Sequence, residues 1–409
     1  MPLLIGRGFL VASYCTLHQE GVIVLKTFEE INEKIRSGCA VVLTAQEVKE
    51  LARKEGIKEV AKKVDVVTTA TFGAMCSSGA FLNFGHTDPP IKMSKVWLND
   101  VPAYGGIAAV DAYIGATEQS ESEGMNYGGA HVIEDLVAGK KIKLRALSYG
   151  TDCYPRKEFT GFIDKYSINQ AILFNPRNAY QNYNAATNTS DKTLYTYMGV
   201  LLPNCGNVNY STTGELSPLM NDPYLRTIGV GTRIFLGGAI GYVAWEGTQH
   251  NPTQERAESG VPIGGGATLA LIGDLKKMSP EFLRAAVVKG YGVTLYVGVG
   301  VPIPIIDEEM ARFVSIRDEE ILTNILDYAV PSRSRPVLRR VSYSELKSGN
   351  VTIMGKKVPT ACLSSISVSI KIAEILKNWI KEGKFLLQQP IQALPMDIRL
   401  LPLNETKEE

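Results

Sequence analysis

The 409-residue chain has almost no charge of either sign to spare: 43 Lys and Arg stand against 42 Asp and Glu, a formal charge of +1. A protein that grips a nucleic-acid backbone needs clustered positive charge to displace counterions. None is present, so nucleic acid is not an expected partner. Long apolar runs are missing too. The longest uncharged one, "YGVTLYVGVGVPIPII" (Tyr291–Ile306), is shorter than the roughly 18 residues of a spanning helix and is broken by Gly and Pro. The opening "MPLLIGRGFLVASYC" imitates a secretion signal, but Arg7 interrupts it and no small-residue cleavage site comes after it. No membrane contact is expected, and a cytoplasmic location is. Cysteine is sparse: Cys15, Cys39, Cys76, Cys153, Cys205 and Cys362 are scattered without a C-x-x-C. This argues against a disulfide framework, a four-thiolate metal site or a cluster held by this chain. The histidines (His18, His86, His131, His250) lack the helical pairing of a zinc hydrolase. Phosphate-loop, dinucleotide and serine-elbow motifs are absent. No metal or cofactor is therefore expected in the chain itself.

The 45% hydrophobic content suffices for one large domain or two ordinary ones. Residues 1–23 join poorly to the regular pattern that begins at Thr27. They read as an N-terminal extension that start-site choice would explain, with a genuine strand as the alternative. No composition break divides residues 24–409. "TFEEINEKIRSG" carries Phe28, Ile31 and Ile35 at helical spacing and stops at Gly38; "TAQEVKELARKEG" opens on the capping pair Thr44 and Glu47 and stops at Gly56. "VDVVTTATFGAMCSSGAF" reads as a strand entering a turn that holds Cys76. Residues 169–221, rich in Asn and Tyr, read as loops and short strands. "GVGTRIFLGGAIGYVAWEGTQ" reads as a buried strand punctuated by Gly. In the segment 267–300, Ser279, Pro280 and Gly290 delimit a helix between two strands. Ile372, Ile375, Leu376, Trp379 and Ile380 share one face of a C-terminal helix ended by Gly383. The expected fold is α/β, a mixed sheet with at least one βαβ unit, placed at 267–300.

What remains for chemistry is thiols. Cys153 in "SYGTDCYPRKE" sits in a polar turn, and Arg156 and Lys157 would favour its thiolate. Cys76 lies among residues small enough to admit a substrate. Backbone N–H groups in such turns bind anions. The plainer reading of each is a loop cysteine with no task. "VPIGGGATL" reads first as a structural turn, with anion cradling as the alternative.

Together "TTATFGAMCSSGAFLNFGHTDPPIKM", "GGAHVIEDLVAGK", "YGTDCYPRKE", "NAYQNYNAATN", "GTRIFLGGAIGYVAWEGTQHNP" and "LPMDIRLLPL" resemble the homocysteine biosynthesis family, over about Thr27 to Leu403. Members with an assigned activity are L-aspartate semialdehyde sulfurtransferases of methanogens and other anaerobes. The resemblance implies that sulfide sulfur reaches the aldehyde carbon of L-aspartate semialdehyde with two electrons, giving L-homocysteine. It also implies a persulfide on Cys153 and a second family cysteine at Cys76. The electrons would come from an external ferredoxin-like iron–sulfur protein. The CBS modules of some members are not expected here, and a homodimer is the base expectation.

Within that reading Cys76 would release product by attacking the Cys153 adduct, if the two meet in space. His86 is the candidate proton donor. Asp88 or Asp152 would bind the substrate ammonium and Arg156 its carboxylate. Two rivals stand beside it. One is a coenzyme A transferase-like enzyme using a carboxylate such as Glu246; the other is a non-enzymatic persulfide carrier. Cys39, Cys205 and Cys362 are expected to be structural and Cys15 incidental.

Overall fold

A computed structural model describes residues 26–403. Cys15 and the leading segment 1–23 lie outside the described residues. Thr27 with Glu30 caps helix Phe28–Arg36 reciprocally, and Thr44 with Glu47 does the same for helix Ala45–Glu55. That second helix and its continuation, Ile57–Lys63, join strand Val42–Thr44 to strand Val66–Ala74. The two strands pair in parallel, Val42 beside Val66, so this crossover is the βαβ unit of the fold.

The segment 267–300 is a correction. No helix forms at 279–290. Ser279 makes only a turn, Leu283–Val288 is a strand, and it returns antiparallel along Gly292–Pro304. The signals at Ser279 and Gly290 are real turn signals. Between them "LRAAVV" is six residues ending in two valines, too short to make a stable helix when a thirteen-residue strand offers it a ladder. The glycines of 229–246 also do more than punctuate. Gly237 and Gly238, at φ of 59° and 96°, form the two-residue turn of a hairpin, Arg233–Leu236 with Ala239–Glu246.

The largest sheet runs, edge to edge, Val42–Thr44, Val66–Ala74, Gly292–Pro304, Arg233–Leu236, Ala239–Glu246, Leu269–Asp274, Gln170–Asn178, Gly79–Asn83 and Asp111–Gly115. A six-stranded sheet holds the short strands Ala185–Thr187 and Val208–Tyr210 between Leu322–Asp327 and Lys356–Cys362, through parallel pairs. A four-stranded antiparallel sheet carries Ile142–Leu147 and Glu158–Ile163. Helix Ile366–Lys381 lies on the large sheet with Ile372, Leu376 and Ile380 buried. The approach is close: a methyl on Gly298 would stand 2.8 Å from Ile372 Cδ1. Among the described residues no helix is long and apolar enough to cross a membrane.

Candidate active site

Strand Val66–Ala74 delivers Cys76 to a tight turn. Ser78 donates its N–H and its hydroxyl to Met75 O, at 3.0 and 2.8 Å. The buried Asn175 holds the turn from the neighbouring strand: its Nδ2 donates to Ser78 Oγ (2.7 Å) and its Oδ1 accepts from Ser77 Oγ (3.0 Å). Cys76 is half-buried, with Sγ 3.2 Å from Thr294 Oγ1. It opens onto a cavity of about 1100 Å³, at the upper end of small-molecule sites.

The "NAYQNYN" motif builds much of the wall. Asn178, Gln181 and Asn182 are fully buried; Gln181 and Asn182 spend their amides on the backbone, and Asn178 Oδ1 accepts from the Ala179 N–H at 2.5 Å. Gln181 Nε2 donates to Leu219 O and Pro223 O, and Asn182 Nδ2 to Pro262 O and Leu322 O. Ala179 and Asn182 accept positive φ, 49° and 67°, a strain that this network holds in place. Tyr180, Tyr183 and Asn184, the residues between and after, are left facing the cavity. The strand register shifts between Asn175 and Asn178, and Arg177 within that irregularity also lines the cavity.

Tyr180, Tyr183, Tyr197 and Tyr328 form a chain of edge-on rings with centroids 5.1–6.3 Å apart. Tyr197 and Tyr328 hydroxyls are 2.8 Å apart. Burial pushes Tyr180, Tyr183 and Tyr328 above the usual phenol range, so they serve as neutral hydrogen-bonding groups.

The charge of this lining is one-sided. Arg177, Arg333 and Arg335 border the cavity, and among the described residues no Asp, Glu, Lys or His does. None of the three forms an ion pair among the described residues. Arg177 Nε donates to Thr248 Oγ1 (3.0 Å), and Arg333 donates to Gln249 Oε1 (3.2 Å). The triple-glycine turn also reaches the cavity, through Gly265 and Gly266. Glu246 ends its strand and is not part of the lining.

Cys153 is elsewhere. It is exposed on a turn closed by reciprocal Thr151 and Tyr154 backbone hydrogen bonds, with Sγ 3.5 Å from Thr151 Oγ1. His86 joins it there: its ring stacks with Tyr154 at 6.1 Å between centroids. Asp88 and Asp152 are exposed along the same edge. Arg156 gives its Nε to Glu158 O (3.0 Å) and packs over Phe159. None of these five residues lines the cavity. Cys76 and the His86–Cys153 edge lie beyond opposite ends of strand Gly79–Asn83, whose four residue steps alone span roughly 13 Å. Of the other thiols, Cys205 is buried and Cys362 is half-buried against Thr212 O (3.4 Å). Cys39 is exposed on the turn after the first helix rather than packed.

Sequence reasoning reaches Cys76 but assigns no role to Arg177, Asn184, Arg333, Arg335 or the tyrosines. The unusual density of Asn and Tyr in 175–184 is the signal that could have found Arg177, Tyr180, Tyr183 and Asn184; Arg333 and Arg335 lie outside it.

Comparison with known proteins agrees with the motifs. Residues 40–387 match the family described as "Homocysteine biosynthesis enzyme, sulfur-incorporation". An L-aspartate semialdehyde sulfurtransferase of Methanosarcina acetivorans is 52% identical over 94% of this chain and 75% of its own length. One of Methanocaldococcus jannaschii is 52% identical over 91% and 74%. No solved structure matches. The chain belongs to the sulfur-incorporating family of homocysteine biosynthesis enzymes.

Proposed function

We propose that this chain is an L-aspartate semialdehyde sulfurtransferase. The observation that carries this reading is a thiol, Cys76, opening into an arginine-bordered cavity to which the described residues contribute no acidic side chain. Such a site suits a small carboxylate whose other end is an electrophile. Two relatives at 52% identity bear the name of this activity.

The reaction balances in atoms and electrons. An aldehyde, one hydrogen sulfide, two electrons and two protons give a thiol and one water. Hydrogen sulfide adds to the carbonyl carbon, water departs from that carbon, and two electrons with two protons reduce the thiocarbonyl left behind. The neutral tyrosines and Thr294 supply hydrogen-bonding groups around the carbonyl oxygen as it becomes a leaving hydroxyl. Cys153 is the proposed site of sulfur loading as a persulfide. Its exposure leaves it open to a sulfane-sulfur donor, a polysulfide accompanying the sulfide or a protein persulfide, which passes on its outer sulfur by exchange and leaves as the thiol or sulfide. Two further electrons and two protons from the same reductant then release that sulfur as hydrogen sulfide and restore the Cys153 thiol, with His86 beside its turn to exchange protons. A persulfide on Cys153 reaches the cavity when the Ser148–Lys157 turn is carried to it, from this chain or a second copy. The electrons are proposed to come from an external ferredoxin-like iron–sulfur protein.

The test is anaerobic. Protein, L-aspartate semialdehyde, sulfide and a strong chemical reductant are mixed, and homocysteine is measured by mass spectrometry, with Cys153→Ala and Cys76→Ala in parallel. Product from the parent and none from either variant supports the reading. Silence of the parent, with the iron–sulfur partner also supplied, refutes the substrate. Product undiminished in both variants refutes the thiol chemistry.

A further inference from the structure

Two polar groups in the cavity wall have no partner among the described residues. Arg335 makes no hydrogen bond or ion pair among the described residues, although its Nε is buried and its guanidinium lies 4.1 Å from the centroid of the Tyr328 ring. The ring face supports the cation without using any of its N–H donors. Asn184 Oδ1 is likewise buried and unpartnered. Its carboxamide is held against the triple-glycine turn, where a side chain at Gly264 would come within 2.7 Å of Oδ1. Gly264 sits at φ +101°, so the turn is built to leave that space to Asn184. Buried polar atoms are ordinarily satisfied, and a guanidinium and a carboxamide left without partners in the wall of one cavity call for a ligand that supplies both an acceptor and a donor.

Resting on the sulfurtransferase reading, we infer that this cavity recognises the zwitterionic head of an α-amino acid: the carboxylate pairs with Arg335, and the ammonium donates to Asn184 Oδ1. The fork of a guanidinium matches a carboxylate in a way an ammonium does not. The bordering charge fits as well. With no carboxylate among the described residues of the lining, the substrate's own is not repelled, and a neutral oxygen is left to take the ammonium. Cys76 then lies in the same cavity for the other, reactive end. This gives the cavity the substrate-binding role that sequence reasoning assigns to Arg156, Asp88 and Asp152.

The test uses L-homoserine, which has the same head and a hydroxyl in place of the aldehyde. Its binding is titrated calorimetrically, and initial rates with L-aspartate semialdehyde are measured in parallel. Arg335→Ala and Asn184→Leu should each weaken homoserine binding about tenfold or more, and raise KM similarly while kcat changes less than about threefold. Arg335→Lys keeps the charge without the fork and should fall between parent and Arg335→Ala, which also covers the case in which the alanine variant misfolds. 4-Hydroxybutyrate, lacking the ammonium, should bind more weakly than homoserine and be sensitive to Arg335→Ala but not to Asn184→Leu. Folded Arg335 variants with parental homoserine affinity and KM overturn the inference while leaving the reaction standing. A parent that binds homoserine through Arg335 yet makes no homocysteine overturns the reaction and leaves the recognition standing.

Discussion

Gly298 offers a sharp test of how helix Ile366–Lys381 is seated. A methyl added there would stand 2.8 Å from Ile372 Cδ1, 3.1 Å from Phe282 Cβ and 3.4 Å from Phe282 O. Neither neighbour retreats easily. Ile372 is fully buried, and Phe282 is locked edge-to-face on Phe235 with centroids 5.2 Å apart. Gly298→Ala should therefore cost about 1–3 kcal/mol through overpacking. Ile372→Val removes the clashing Cδ1 and by itself costs about 0.5–1.5 kcal/mol. The double variant should be more stable than the sum of the singles by about 1 kcal/mol, because the relief and the insertion occupy the same space. Urea unfolding at constant m-value measures all three. Strand Gly292–Pro304 also carries Thr294 against Cys76, so sulfurtransferase turnover should fall in Gly298→Ala and recover in the double variant. Additivity within about 0.3–0.5 kcal/mol, or a neutral Gly298→Ala, would refute the claim that helix contact makes glycine necessary here.

Burial holds the Lys49 ammonium down to about 8 from 10.5, so the unfolded chain binds its proton more tightly than the folded one. Below pH 8 the full penalty, about 3 kcal/mol, weighs on the fold, and between about pH 8 and 10.5 stability should rise with pH. The difference in unfolding free energy between parent and Lys49→Met should shift by about 2–3 kcal/mol in the parent's favour from pH 7 to pH 10; a flat difference refutes it. Asp65 is buried and paired with Lys26 and Lys34 at 3.1 and 2.8 Å. Burial pushes its carboxyl up, but the hydrogen bonds from Lys34, the Val41 N–H and Lys26 outweigh that and hold it below the usual range. Its contribution should be present above the ordinary carboxylate range and lost as acid protonates the folded form. Asp65→Ala should cost about 3–5 kcal/mol in thermal or urea unfolding at neutral pH. Mild oxidation of the resting chain should give no Cys76–Cys153 disulfide on peptide mapping, since such a bond needs Cα atoms within roughly 7 Å; its appearance would mean that the turn visits the cavity.

Local signals in the sequence determined the elements they control directly. Thr27, Thr44, Gly38 and Gly56 mark the first two helices because capping is settled within one turn of backbone. The face shared by Ile372, Leu376 and Ile380 marks the last helix because burial tracks the helical period. The long motifs around the two cysteines also marked the family. Segment 279–290 was not legible in this way: its turn signals fit a helix or a hairpin equally, and the ladder along Gly292–Pro304 chose the hairpin. The separation of Cys76 from Cys153 was equally hidden, since only the course of strand Gly79–Asn83 sends the chain from one to the other's surroundings. The cavity is wholly tertiary. Arg177, Asn184, Arg333 and Arg335 come from two distant stretches, and what distinguishes Arg335 from any surface arginine is that its neighbours leave its donors empty, a property no residue carries in its own sequence.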